Sequence, residues 1–251
     1  MSDFGGRAAS RPRTIRIVGV GMGPQHVTPE AAAALGRSSY VVAARKGAHD
    51  PLLDVRREVA ALHGLEVVEV DDPERDRADP ADYTGAVQDW HAARAEAWGA
   101  EISTRQGDPA FLVWGDPSLY DSTIRVVETV AESLDARIEV VAGIAAPQLL
   151  AARHGMVLHR VGQSVHVTTQ RRQAEAIDAG QRNLVVMLTS GVALAGLEDW
   201  SIWWGANLGA PSERLVAGTV GEVAGLVAEE REAAKAEAGW VMDLYLLRAP
   251  G

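Results

Sequence analysis

The sequence predicts an α/β protein of two domains, the first a mainly parallel sheet with flanking helices and the second a mixed one. Three observations carry this. Short β-branched runs alternate with longer helical patterns along most of the chain, as in crossover units. The early runs are apolar almost throughout, as strands are when helices cover both faces of a sheet. The later runs differ: "SVHVTT" alternates and "WVMDLYLL" is interrupted by Asp243, which points to mixed or antiparallel pairing in the second half.

The polar opening, "MSDFGGRAASRPRT", has no apolar stretch of signal-peptide type, and residues 1–13 are expected to be a disordered tail. Strands are then expected at 14–20, 39–44, 65–70, 110–114 and 137–142, followed by 164–169, 183–188 and 240–247. Helical patterns lie between them at 28–36, 51–63, 81–106, 117–134, 144–154 and 170–179. The stretch "AEEREAAKAEAG" (228–239) reads as an exposed charged helix. Glycine and tryptophan become more frequent in the second half, notably in "WSIWWGANLGAPSER", and the domains are placed at 14–117 and 118–251.

Composition excludes several functions. With 34 acidic residues against 24 Lys and Arg, the net charge of −10 argues against a general nucleic-acid binder, which needs a basic surface. The absence of cysteine excludes disulfides, thiolate nucleophiles, iron–sulfur clusters and cysteine-rich zinc sites. No metal-ligand motif is found. No apolar run approaches the roughly 20 residues of a spanning helix. No membrane partner is expected, and the protein is placed in the cytoplasm.

Two loops carry the chemical signal. In "IRIVGVGMGPQHVTPEA" the glycines Gly19, Gly21 and Gly23 follow a strand, but the sixth position of a dinucleotide fingerprint is Pro24. A nicotinamide site, and with it an oxidoreductase, is therefore disfavoured. Thr28 reads as an N-cap with Pro29 at the first helical position. The glycines serve either a tight turn or the close approach of a ligand. In "FLVWGDPSLYDST" a buried strand ends at Trp114, and Asp116 and Pro117 read as the cap and first residue of a helix. This loop lies at the carboxyl end of a strand, where open α/β sheets bind ligands.

These loops, with "VAGIAAPQLLAA", "NLVVMLTSG" and "PSERLVAGTV" in order after them, resemble the tetrapyrrole methyltransferases. The family's third motif has proline where Ala142 stands, and its glycine loop often has proline where Met22 stands. The segments "RKGAHDPLLDVRREV" and "DDPERDRADPADYTGAVQDWHAARAE" narrow the resemblance to members acting on precorrin-5. The resemblance implies an S-adenosylmethionine-dependent C-methyltransferase of cobalamin biosynthesis. It would methylate precorrin-5 at carbon 1 with release of acetate to give precorrin-6A, and would work as a homodimer. A relative with another precorrin substrate is the alternative.

For the cofactor the resemblance implies Gly21, Met22, Trp114, Gly115, Asp116, Pro117, Leu119 and Tyr120, with Ala145, Ala146, Met187, Leu188, Leu215 and Val216. The donor is already activated, so the protein chiefly aligns the reactants in a dry cleft. Loss of the acetyl group also needs proton management, for which His26, Tyr120, Asp121 and His154 are candidates by position. The carboxylates of such a substrate suit arginine's planar fork, giving Arg45, Lys46, Arg75, Arg77 and Arg94 as substrate-binding candidates. Trp200, Trp203 and Trp204 are read as core or dimer interface rather than as a stacking platform, with the interface favoured.

Overall fold

In the computed structural model, the described residues are 12–47, 50–74 and 83–251. The chain divides into two compact units between Gly143 and Ile144. The first contains strands β1 (Thr14–Gly19), β2 (Tyr40–Arg45), β3 (Val67–Asp71), β4 (Pro109–Val113) and β5 (Arg137–Val141). They form one sheet in the order β3-β2-β4-β1-β5, with every pair parallel.

Parallel neighbours need crossovers, here supplied by α1 (Pro29–Leu35), α2 (Pro51–Leu62), α3 (Tyr83–Ser103) and α4 (Thr123–Leu134). The pleat of β1 distributes its side chains between two cores. Ile15 and Ile17 pack with Ala95, Trp98 and Ile102 of α3 and Val126, Val127 and Val130 of α4. Val18 and Val20 pack with Ala31, Ala34 and Leu35 of α1 and Val59 and Ala60 of α2 on the opposite face. Both faces are covered, which is why these strands are apolar throughout.

The second unit holds α5 (Ala146–Arg153), β6 (His166–Thr169), α6 (Gln173–Asp178), β7 (Asn183–Met187), β8 (Ser201–Ala206), β9 (Arg214–Thr219), α7 (Val220–Ala238) and β10 (Asp243–Arg248). Its sheet runs β6-β7-β10-β8-β9, and only the β6–β7 pair is parallel. The mixed pairing expected from "SVHVTT" and "WVMDLYLL" is present. Leu184, Val186, Ile202, Trp204, Tyr245 and Leu247 share a core with Ala176 of α6 and Val227 and Ala234 of α7. On the other face, Leu150 of α5 lies where a Cβ on Gly205 would meet it at 2.9 Å.

Asp243 interrupts its strand for a structural reason. Its side chain is 1% exposed and ion-paired to Arg231 at 3.2 Å. Trp204 Nε1–H donates to Oδ2 at 3.0 Å, and the Thr189 hydroxyl donates to Oδ1. Such a buried carboxylate is tolerable only because three donors surround it.

Several expectations are corrected. The boundary expected at 117 lies at 143, because β5 pairs with β1 and α4 packs on the first sheet. The helix expected from Pro117 begins at Thr123, since Tyr120 takes a left-handed φ of 53° that no α-helix accepts. Residues 1–11 lie outside the described residues, but Arg13, assigned to the tail, donates to the carbonyls of Ile102 and Arg105. Two strands lie outside those expected: β8 falls within "WSIWWGANLGAPSER", and β9 begins at its last residue, Arg214. Trp204 and Trp200 are buried in the second core, against the favoured interface reading. The 228–239 segment lies largely in α7, and Ala234 is fully buried on its inner face, so that helix is exposed on one side only.

Gly143 stands two residues past the end of β5, and a Cβ there would lie 2.1 Å from the Gly115 carbonyl oxygen. Gly225 on α7 would place a Cβ in open space. Gly143→Ala is expected to destabilise the protein by about 1–3 kcal/mol or more, and Gly225→Ala to stabilise it by about 0.5–1 kcal/mol. Urea denaturation of both variants checks the contrast; equal midpoints would contradict it.

Candidate functional site

In the first sheet, β1 is connected to β2 on one side while β4 is connected to β5 on the other. The direction of winding therefore reverses between the neighbours β4 and β1, the position where open α/β sheets place their ligand crevice. The two loops leaving this point are tied together. Gly115 N–H donates to the Gly21 carbonyl at 2.7 Å, and Gly21 N–H donates back to the Gly115 carbonyl at 3.3 Å. A Cβ on Gly19 would lie 2.6 Å from Gly143 N. Much of the glycine requirement is thus set by backbone packed on backbone, rather than by a ligand.

Asp116 completes this junction. Its Oδ2 accepts from Gly143 N–H at 2.9 Å, and its Oδ1 accepts from Ser118 N–H at 2.9 Å and from the Ser118 hydroxyl. Burial alone would raise the carboxyl's pKa. The bonds from Ser118 Oγ, Gly143 N–H and Ser118 N–H outweigh it and hold Asp116 below the ordinary carboxylate value. Asp116 therefore organises its loop and does not cap α4, whose N-cap residue is Ser122.

The first glycine loop then enters a 3-10 turn, Pro24–His26, and α1 starts only at Pro29 with Thr28 Oγ1 accepting from Ala31 N–H. No α-helix opens within the loop, so the arrangement that grips a pyrophosphate is missing. Met22 is buried and its N–H donates to His26 Nδ1 at 3.3 Å. His26 thereby serves the loop's own backbone.

Around this junction the structure gathers Gly21, Met22, Trp114, Gly115, Asp116, Pro117, Leu119 and Tyr120 of the first unit. Tyr120 is 43% exposed despite its left-handed backbone. The second unit carries a counterpart: Leu188, just after β7, has a φ of 52° and is 62% exposed. Exposed non-glycine residues in that conformation are costly, and they concentrate at ligand sites. Strand register puts Met187 and Leu188 at the same end of the second sheet as Leu215 and Val216, the second and third residues of β9. Ala145 and Ala146 open α5, where Ala145 N–H donates to Gln148 Oε1 at 2.8 Å.

The remaining candidates are dispersed. Asp121 Oδ1 accepts from Thr123 N–H at 2.6 Å. The His154 ring lies 3.0 Å from the Trp204 carbonyl oxygen through Nε2. Both positions have structural work, and Tyr120 is the exposed one of the three. Arg75 and Arg77 lie outside the described residues. Arg45 is exposed but forked onto Asp71, with Glu69 at 3.6 Å. Arg94 is buried, its guanidinium bidentate on Asp72 at 2.6 and 3.0 Å and 4.0 Å over the Trp90 ring. Arg94 thus has its partners within the protein. Lys46 stands exposed beside this group, and Arg56, which no sequence argument singled out, comes within 5.7 Å of the Trp114 ring.

Residues 14–224 match the model of the tetrapyrrole (corrin/porphyrin) methylases. The chain belongs to that family. It is 41% identical to a precorrin-6A synthase [deacetylating] from Sinorhizobium sp, a match covering 94% of this chain and 95% of the relative. Among solved structures, this tetrapyrrole methylase is similar to a cobalamin synthesis related protein (CobF) from Corynebacterium diphtheriae, with 38% identity and a TM-score of 0.81, covering 95% and 99% of the two chains. A uroporphyrin-III C-methyl transferase from Thermus thermophilus, complexed with S-adenyl homocysteine, shares the fold at 20% identity and a TM-score of 0.62 over 94% and 97%.

Two outcomes follow for these side chains. Arg94→Ala would leave Asp72 buried without its partner and should cost about 3–5 kcal/mol, read as a lowered midpoint in chemical denaturation; an unchanged midpoint would mean that the pair contributes nothing to the fold. A carboxyl with a depressed folded pKa contributes stability that is present above its unfolded value, about 4, and lost as pH falls through the folded one. The difference in Tm between wild type and Asp116→Asn should therefore be present at pH 7 and shrink below pH ~4. A difference that stays constant down to pH ~2 would mean that Asp116 gains nothing from its three donors.

Proposed function

We propose that this tetrapyrrole methylase is an S-adenosylmethionine-dependent C-methyltransferase of cobalamin biosynthesis, methylating precorrin-5 at carbon 1 with release of acetate to give precorrin-6A. The observation that carries the reading is the 41% identity, end to end, with a protein named for that reaction. It is supported by a fold whose Gly21–Gly115 junction sits where the winding of the sheet reverses.

The chain's fit to the methyl donor rests on two observations. The left-handed, exposed Tyr120 and Leu188 mark one strand-end loop in each unit. The polar groups of the Gly21–Gly115 bridge and of Asp116 are spent within the protein, so the loop is fixed before any ligand arrives. When bound, the donor supplies a methyl group on a sulfonium, already activated for transfer. The residues proposed to hold it are Gly21, Met22 and Trp114 to Pro117, with Leu119 and Tyr120, from the first unit. Ala145, Ala146, Met187, Leu188, Leu215 and Val216 are proposed from the second.

The protein's own contribution is alignment. Asp116 fixes the Trp114–Tyr120 loop through Gly143, and the buried Asp243 fixes Thr189 and hence the turn at Leu188. Such preorganisation places reactants without a later ordering cost. The family resemblance also supports a homodimer in the cytoplasm; the core positions of Trp200 and Trp204 keep those two side chains out of its interface.

Calorimetric titration with S-adenosylhomocysteine, with NAD as a parallel control, tests the class. Binding with a Kd on the order of micromolar for the first and no heat from the second is the expected result. Binding of NAD alone would overturn the reading. Incubation with precorrin-5 and the methyl donor should then yield acetate and methylated product in equal amounts.

A further inference from the structure

Arg56 lies on α2 and is held by its main-chain neighbours. Its Nε–H donates to the Leu112 carbonyl at 3.1 Å and its Nη1–H to the Leu52 carbonyl at 3.3 Å. Leu112 belongs to β4, so these bonds fix the guanidinium just before the Trp114–Tyr120 loop. Among the described residues no carboxylate forms an ion pair with it. Asp50 and Asp121 are close enough to be felt, yet each accepts from a backbone amide instead, those of Leu53 and Thr123.

Arg56 is also not the only cation there. Lys46, which follows β2, feels both Arg56 and Arg94. Crowding around Lys46 lowers its pKa, opposed by Asp72; Arg94 and Arg56 lower it further, and Asp50 opposes them. Asp72 is already committed to Arg94 in a bidentate pair. Arg56 of α2, tied to β4 through the Leu112 carbonyl, and Lys46 at the end of β2 therefore lie within electrostatic reach of each other, with no carboxylate in contact among the described residues, an arrangement that favours an anionic ligand. Arg45, by contrast, opens on a depression of about 520 Å³ lined by two arginines and by Asp50, Asp54, Glu69 and Asp71. That surface repels a polyanion.

We infer that Arg56 and Lys46 form a carboxylate-binding subsite of the first unit, which receives an acidic side chain of the tetrapyrrole substrate. The inference rests on the methyltransferase reading above and adds to it the residues that grip the substrate. Arg56, with Nε and one Nη1 proton engaged by the backbone, presents its outer Nη2 group in a fixed plane. Lys46 adds a mobile charge beside it. A carboxylate could come from the substrate or from the amino-acid end of the methyl donor, and the two ligands are separable in solution.

The test measures binding of uroporphyrin, a tetrapyrrole with eight carboxylates, and of S-adenosylhomocysteine to wild type, Arg56→Gln, Arg56→Lys and Lys46→Gln. Porphyrin affinity is expected to fall about tenfold or more in Arg56→Gln and by a smaller factor in Lys46→Gln. Arg56→Lys should keep the charge, lose the fork and lie between. Affinity for S-adenosylhomocysteine should stay within about twofold in all three, and the salt dependence of porphyrin binding should weaken as each charge is removed. Because Lys46 is exposed and lies outside α2, its variant reports even if Arg56→Gln unfolds. Porphyrin affinity unchanged in every folded variant would overturn the subsite. Loss of S-adenosylhomocysteine affinity with porphyrin binding intact would overturn it too, reassigning the pair to the methyl donor. Wild type that binds neither ligand would overturn the methyltransferase reading itself.

Discussion

The structure of the first unit depends on one constraint: three strand ends approach so closely that only glycine fits between them. Gly19, at the end of β1, faces Gly143 after β5 and the carbonyl of Gly115 after β4. Side chains are excluded, so the loops can hydrogen-bond directly through Gly21 and Gly115. The Asp116 carboxylate then fastens the third strand end by accepting from Gly143. Everything offered by the Trp114–Tyr120 loop, including the strained Tyr120, is set on this base. A parallel sheet alone would leave the loops independent; the glycine contact makes them a unit.

The second unit reaches a comparable rigidity by the opposite means. There a charged side chain, Asp243, is buried at the start of the central strand and satisfied by Trp204, Thr189 and Arg231. The cost of removing that carboxylate from water is offset only if all donors stay in place. Thr189 follows Leu188 directly, so the network also constrains the exposed, left-handed turn. Each unit thus stiffens a strand-end loop of its own, the first by backbone contact and the second by a polar cluster.

Much of the fold was legible in the sequence because the signals were local. β-Branched runs, the Thr28–Pro29 cap and the apolar strands of the first sheet all express short-range physics. What failed were features decided at long range. Asp116 and Pro117 have the residue types of a helix start, yet Asp116 is drawn to Gly143, 27 residues away. β8 was hidden in a tryptophan-rich segment whose alternation, Ile202, Trp204 and Ala206 inward, is overlaid by Trp203 between them. The charged candidates show the same limit. Arg94 and Arg56 look alike in sequence, and only the positions of Asp72 and the Leu112 carbonyl show one neutralised and the other without a contacting acid.

The order of strands in the two sheets carries a kinetic consequence. In the first sheet β1, first in the chain, lies between β4 and β5, and pairs with residues about 90 to 120 positions further on (Arg16 against Ala110, Thr14 against Arg137). In the second sheet β10, last in the chain, separates β7 from β8. Those strands share no edge, and each one's pairing with β10 waits for a segment some forty to sixty residues further on in sequence (Asp243–Arg248 against β8 and β7). Sequence separation of this kind slows folding, since loop closure must come before the contacts that compensate it. Until β10 arrives, the β6–β7 pair and the β8–β9 hairpin each present an open edge, and the central place of β10 makes the closing of the second sheet a single late step.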